Sequence, residues 1–534
     1  MKKPLLILLA ILSICVCRGK AHLNIVPLPV EVQECEGTFR LNSNTQVCVA
    51  DKSLERVAMH YVEQLGRLGV QGLHIAYRPH RSNAINLSLA EELGEEHYLL
   101  DISDKQVWVK GGSDKALFYG LQTLRQIVSA SKGDADGVLL AVVHIEDYPF
   151  FGYRGAMLDV CRHIFSVEEV KRYIDILALH KINRLHWHLT EDQGWRIEIR
   201  RYPELSKVGA MRDETLVGKY RVSNIYDGTP YGGIFTQEEI REVVRYAAER
   251  YIVVVPEIEM PGHAVAALST YPHLGCSGGP YKVRTTWGIS KEVFCAGRES
   301  TFEFIENVLS EVLELFPSEY IHIGGDECPK EAWQSCPACQ KRIADEGLKD
   351  EHELQSYFMQ RVERWLASKD RKIIGWDEIL QGGVSRSATV MSWRGKKGGI
   401  EAAKLGNDVI MTPNTHCYID YYQTSDPVGN GEPLANGRRP LPMDKVYALD
   451  PYEGLTEQEC KYIKGVQVNL WTEYISTFDH VQHMLLPRLA ALSEVGWAYP
   501  RKNYENFSVR MHTLRNLYDK EGYRYAPYFF KGIE

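Results

Sequence analysis

The chain has 534 residues, with 62 lysines and arginines against 70 aspartates and glutamates, for a net charge of −8. Its 44% hydrophobic and 25% charged content is ordinary globular usage, which excludes a disordered chain, a collagen-like fibre and a low-complexity polymer. The acidic balance gives no electrostatic footprint for nucleic acid or an anionic membrane surface, and the length exceeds the roughly 250–300 residues at which single cores stop growing, so two domains are expected.

Met1-Lys2-Lys3 precede an apolar run from Leu5 to Cys17, the pattern of a secretory signal peptide over residues 1–21 and too short to span a bilayer. Export is the expectation: periplasmic, outer-membrane-associated or secreted. Cys15 and Cys17 leave a lipid anchor as the alternative to ordinary cleavage. No later stretch reaches the ~20 apolar residues of a transmembrane helix. Residues 22–150 mix short strands (47–49, 84–89, 98–102, 106–110) with amphipathic helices (54–68, 114–128), predicting a non-catalytic α+β domain.

From 151 to 500 the rhythm changes to apolar strands alternating with longer helices. Strands are predicted over 156–160, 184–189, 252–257, 320–324, 372–376, 389–392, 408–411 and 466–470, and helices over 167–180, 237–250, 301–315, 353–368, 399–405 and 480–495. Eight such units predict an α/β fold, a (β/α)8 TIM barrel as the catalytic domain, with a doubly wound sheet as the alternative. Residues 501–534 read as a helical extension packed on the barrel. Asn86 and Asn506 begin glycosylation sequons.

Ten cysteines follow the leader. Cys276 and Cys295 bracket a glycine-rich loop and are the candidate disulfide pair. Cys328, Cys336 and Cys339 form a local cluster that reads as a zinc or redox site through Cys336-Pro337-Ala338-Cys339, but no second pair at matching spacing accompanies it, so a structural bridge or buried thiols is the favoured reading. No metal and no cofactor are expected.

Barrel active sites lie at the carboxyl ends of the strands. Those ends carry Asp159 and Arg162, then Glu191-Asp192, then Glu257, Glu259 and His263, then Asp326-Glu327, Trp376-Asp377-Glu378, Trp393, Tyr418, Asp420, Trp471 and Glu473. Carboxylates accept sugar hydroxyls and indoles cover the apolar faces of a sugar ring, so the mixture points to a glycan pocket. Glycosidases usually place two carboxyl groups on opposite sides of the scissile bond. Asp326 and Glu327 are sequence neighbours and suit divided labour on one face instead.

His322-Ile323-Gly324-Gly325-Asp326-Glu327 resembles the signature of glycoside hydrolase family 20, the β-N-acetylhexosaminidases. So do Arg154–Asp159 with Arg162-His163, the run from His186 to Trp195, the run from Pro256 to His263, Gly375–Glu378 and Gln467–Glu473. The resemblance implies a retaining, exo-acting hydrolase that removes terminal β-linked N-acetylglucosamine or N-acetylgalactosamine from a glycan by substrate assistance, an exception to the two-carboxylate scheme. It implies that Glu327 is the general acid and then base, and that Asp326 orients the substrate's 2-acetamido group, whose oxygen attacks to give an oxazolinium intermediate. Tyr418 would bond that oxygen, and Trp376, Trp393 and Trp471 would wall its methyl. Arg162, Asp420 and Glu473 would hold sugar hydroxyls. His263 would tune Glu327, supported by Glu191 where many members have aspartate. The inserts 216–233 and 424–441 would shape the far side of the scissile bond.

Two rivals remain at this stage. His186 and His188 alternate on one strand and could ligate a metal in a metal-dependent barrel hydrolase. A non-catalytic glycan-binding surface protein would keep the pocket but needs the acid or its helper lost, and Asp326 and Glu327 are both present.

Overall fold

The computed structural model describes residues 23–437 and 439–532; the predicted leader and Cys15 and Cys17 lie outside them. The chain divides into two compact units, one of residues 23–25 and 29–148 joined by 509–521, the other of 26–28 and 149–508 joined by 522–532.

The first unit is built on a mixed sheet whose strands run, in spatial order, Glu31–Leu41, Gly137–Asp147, Tyr98–Ile102, Gln106–Gly111, Ala84–Leu89, Gln46–Val49 and His74–Ala76. The two long strands at one edge were not legible in the sequence. Glu31–Leu41 carries a bulge between Glu34 and Thr38 that breaks the alternation a strand is recognised by. Helix Asp114–Ala130 begins at a Ser113 cap and is buried from Ala116 to Ser129. Part of its cover is the carboxy-terminal helix Tyr504–Glu521, where the buried Glu521 receives Arg125 and Lys520 donates to the Ser129 carbonyl (2.9 Å). Residues 509–521 therefore belong with the α+β unit, a correction to the expected packing on the barrel. Asn86 sits inside a strand at 0% exposure with its amide on the His80 carbonyl (3.0 Å), so its sequon is not a surface acceptor.

The second unit is a closed parallel barrel. Its strands are β1 Tyr153–Asp159, β2 Arg184–His188, β3 Val253–Met260, β4 Tyr320–Gly324, β5 Lys372–Trp376, β6 Thr389–Ser392, β7 Val409–Met411 and β8 Ile463–Leu470. β8 closes on β1 through the register Gly465↔Tyr153 to Leu470↔Leu158. All eight fall where the apolar runs predict them. The runs are short, rich in β-branched residues and buried on both faces, as a helix-covered parallel sheet requires. Helix starts are equally local: Ser166 with Glu169, and Thr236 with Glu239, form capping boxes. The predicted 480–495 helix is two, Phe478–Leu485 and Arg488–Ala498, interrupted at Leu486-Pro487 because proline cannot donate to the helix ladder. Helix Pro337–Glu346 was not anticipated.

The register sets the site. His188 lies beside Asp159 on one side and Glu257 on the other, and Glu257 lies beside His322, so four strands deliver ionisable side chains at one level. β4 then ends in Gly324 and Gly325, at φ 64° and 95°. A Cβ on Gly324 would stand 1.7 Å from a Glu259 carboxylate oxygen. Gly324→Ala is expected to lower stability by roughly 2–5 kcal/mol, combining left-handed backbone strain with overpacking, and to reduce turnover in the fraction that stays folded; urea unfolding and activity per folded molecule check this.

Candidate active site

Asp326 and Glu327 follow those two glycines. The turn lets the Gly325 amide donate to Glu259 Oε1 (3.1 Å), which fixes the loop to the floor of β3. Glu327 holds a left-handed backbone at φ 41°, and His263, after β3, another at φ 48°. Such conformations are uncommon for residues other than glycine and cluster where function demands a particular side-chain direction. The two segments touch closely: a Cβ on Gly262 would lie 3.1 Å from the Asp326 carbonyl oxygen. The effect is to aim His263 Nε2 at both acids, 3.9 Å from Asp326 and 3.5 Å from Glu327.

The other face of the His263 ring meets Glu191, with Nδ1 2.7 Å from Oε1, and Asp192 at 3.6 Å. Glutamate therefore does reach the histidine, and its second oxygen contacts Arg162 (3.0 Å) and His188 Nε2 (3.3 Å). Burial disfavours the charged imidazole, but Glu191 and Asp192 push His263 well above the ordinary histidine range. Arg162 also pairs with Asp159 (3.3 Å), takes Gln193 Oε1 on its Nε (3.0 Å) and lies 5.0 Å over the Trp471 ring. It is a rigid cation with an aromatic backing.

These groups open onto a cavity of about 200 Å³ lined by Arg162, Glu191, His263, Asp326, Glu327, Trp393, Tyr418, Asp420, Trp471 and Glu473, together with Tyr421, Asn436 and Gly437. Ten of the expected site residues thus meet in one place. The eleventh, Trp376, does not line the cavity. It is 1% exposed, donates its indole N–H to Glu257 (2.8 Å) and backs the Trp471 ring at 5.9 Å. Trp393 stacks on Tyr418 (5.9 Å) and is held by Glu378 through its indole N–H (2.8 Å). Three lining residues escaped the sequence reading: Tyr421, Asn436 and Gly437. The last two come from the 424–441 insert, whose irregular backbone has no period to read. Asn436 Nδ2 donates to Glu473 (2.9 Å).

Three carboxylate oxygens in the cavity lack hydrogen-bond partners. Asp326 Oδ1 and both oxygens of Asp420 are buried without a hydrogen bond among the described residues. Buried polar atoms are ordinarily satisfied, and unmatched acceptors facing a cavity call for donors from a ligand. Burial raises both carboxyl groups: Asp420 goes well above the usual range with Glu473 adding to the effect, and Asp326 is pushed up to about 7, with Glu327 and Glu257 adding and His263 opposing.

Below the cavity, three imidazoles and an indole converge on Glu257. His186 Nε2 donates at 3.0 Å, His322 Nδ1 lies at 2.9 Å, Trp376 donates at 2.8 Å and His188 Nδ1 makes a further short contact. Burial opposes ionisation, yet the three histidines hold Glu257 well below the carboxylate range. Burial also opposes protonation of His188, but Glu257 and Glu191 lift it to about 10. His186 and His188 are 0% exposed and are spent on this carboxylate, away from the cavity. That is the internal hydrogen-bonding role.

Family models, curated relatives and solved structures all match this chain. The family model "Glycosyl hydrolase family 20, catalytic domain" matches residues 151–500, and "Glycosyl hydrolase family 20, domain 2" matches residues 22–148. A beta-hexosaminidase of Porphyromonas gingivalis is 44% identical, over 96% of this chain and 67% of its own length. One of Vibrio furnissii is 35% identical, over 89% and 77%. The solved beta-N-acetylhexosaminidase of Streptomyces coelicolor A3(2) superposes with a TM-score of 0.81 at 32% identity, covering 94% of this chain and 97% of that one. A mutant Streptomyces plicatus beta-hexosaminidase in complex with product (GlcNAc) gives 0.82 at 31% identity, covering 96% and 98%. The chain belongs to glycosyl hydrolase family 20 and is a glycosidase that hydrolyses O-glycosyl bonds, a beta-hexosaminidase.

Proposed function

We propose that the enzyme removes a single terminal, non-reducing β-linked N-acetylhexosamine with retention, using the substrate's own 2-acetamido oxygen as nucleophile. The observation that carries this reading is the buried, unpartnered Asp326 Oδ1 beside Glu327. An acetamido N–H donating to Oδ1 would satisfy that atom and favour its ionised form. Ionised Asp326 then turns the amide oxygen toward the anomeric carbon and offsets the positive charge that develops on the oxazolinium ring. Glu327 protonates the leaving oxygen, and afterwards takes a proton from the water that opens the ring. Tyr418 bonds the acetamido oxygen, and Trp393 and Trp471 enclose its methyl. Arg162, Asp420 and Glu473 hold the ring hydroxyls. The cavity, at about 200 Å³, lies below the ~300–1,000 Å³ of sites for larger ligands, which supports one sugar ring and exo action.

The two inserts bound the entrance side of this pocket. Lys219 donates to the Ala435 carbonyl and the Tyr220 amide to the Tyr474 hydroxyl (3.0 Å). The reading includes export directed by residues 1–21, which the mass of the mature amino terminus measures.

The roles separate by leaving group. Glu327→Gln is expected to slow natural glycans by roughly 10²–10⁴-fold and aryl N-acetylhexosaminides with acidic phenols far less, since those leave without a proton. Asp326→Asn should slow both classes alike. Equal losses for the two classes in Glu327→Gln would reject the acid assignment; steady-state kinetics on a leaving-group series decides it.

Asp326 also has a stability signature. Its folded proton affinity is raised above the unfolded value of 3.8, to about 7, so the native state binds more protons between those pH values. Its contribution is complete below about pH 4 and is lost as pH rises through 7. Asp326→Asn is therefore expected to gain stability relative to wild type between pH 4 and 7, levelling above 7 at a few kcal/mol. Denaturant midpoints across that range test it, and a flat difference would contradict the burial argument.

A further inference from the structure

One cluster lies outside this chemistry. The Sγ atoms of Cys276, Cys295, Cys336 and Cys339 all lie within 4.8 Å of one another. Cys295 is 3.7 Å from Cys336 and 3.6 Å from Cys339, and Cys276 is 3.8 Å from Cys339. All four thiols are free, and three of them are buried, which corrects the expected Cys276–Cys295 disulfide. A disulfide needs sulfurs about 2.05 Å apart. Zinc–sulfur bonds of about 2.3 Å in a tetrahedron instead set sulfur–sulfur edges of about 3.8 Å, the spacing seen here.

We infer that these four cysteines form a structural metal site, a tetrahedral tetrathiolate centre of the type that takes zinc. Cys336 and Cys339 supply the two-residue spacing of a zinc knuckle. The second pair, missing from the sequence pattern, comes from another loop, with 18 residues between its members. The closed, four-sulfur donor set leaves no open position for substrate, as in structural rather than catalytic zinc centres, and soft sulfur ligands disfavour magnesium and calcium. The surroundings suit thiolates. Cys336 caps helix Pro337–Glu346 and Cys339 lies in its first turn, where the helix dipole favours negative charge, and the Gly297 amide hydrogen-bonds the Cys295 sulfur. Packing is too close for a looser arrangement: a Cβ on Gly297 would stand 2.2 Å from the Ala338 carbonyl carbon.

The centre ties together two segments that the chemistry depends on. Cys276 and Cys295 lie on the connection that follows β3 and carries His263. Cys336 begins nine residues after Glu327 on the connection that follows β4. The Trp333 indole N–H, donating to the Phe294 carbonyl (2.8 Å), spans the same two segments. The metal would act as a clamp on the acid loop and never as a participant in the reaction.

The test is elemental analysis of the purified full-length enzyme together with a thiol count by alkylation and mass spectrometry. The expected result is about one zinc per chain, with Cys276, Cys295, Cys336 and Cys339 alkylated only after denaturation with a chelator. Replacement by cobalt(II) should give thiolate-to-metal charge-transfer absorption and the strong visible bands of a tetrahedral ion, a signature of sulfur ligation that needs no variant. Cys295→Ser with Cys339→Ser should lose at least nine-tenths of the metal. Two disulfides among the four cysteines, free thiols with no metal after growth in added zinc, or metal retained by the double variant would each overturn the assignment.

Discussion

The active site depends on a row of buried charges that alternate in sign. Glu257 is ionised by its histidines, His188 is protonated between Glu257 and Glu191, and His263 is protonated between Glu191 and the acid pair. Each ion is desolvated, which alone would neutralise it, and each is restored by neighbours within 2.7–3.9 Å. Such a row is costly to break, because removing one member strands the next as a buried, uncompensated charge. It fixes the direction of His263, and His263 fixes the two acids. Asp326 stands at the end of the row, where compensation is incomplete. Its raised proton affinity and its unpartnered oxygen are one fact seen twice, and in the proposed function the substrate supplies the missing donor.

The barrel supplies the row through register. His188 falls level with Asp159 and Glu257, and Glu257 with His322, so adjacent strands place partners side by side without any loop being ordered. Loops then set direction, through left-handed His263 and Glu327 and the glycine pair that lets the Asp326 loop rest on Glu259. If the four-cysteine centre holds its metal, the connections carrying these left-handed residues are pinned behind the chemistry as well as within it.

Much of this was legible in the amino-acid pattern because it is local. The eight strands announce themselves as short apolar runs, and the strand-end carboxylates and indoles follow from knowing which end a barrel uses. What failed to show was long-range or irregular. The bulged Glu31–Leu41 strand has no clean alternation, and the allegiance of residues 509–521 is decided by Arg125, nearly 400 positions away. Trp376 has the right residue type at the right strand end, yet it sits one layer beneath the cavity. Asn436 and Gly437 come from a loop without period. Cys276 and Cys295 pair in the sequence as the brackets of a glycine-rich loop, whereas Cys336 and Cys339 approach the same point from another connection.

The central claim is that the substrate's amide oxygen, oriented by Asp326, makes the first bond to the anomeric carbon. Stepwise fluorination of the acetamido methyl weakens that oxygen as a nucleophile while changing the ring and leaving group little. The account predicts that kcat/KM for aryl N-acylglucosaminides falls steeply and monotonically from acetyl through mono-, di- and trifluoroacetyl. A rate independent of fluorination would show that a protein carboxylate or water attacks instead, and would contradict the account.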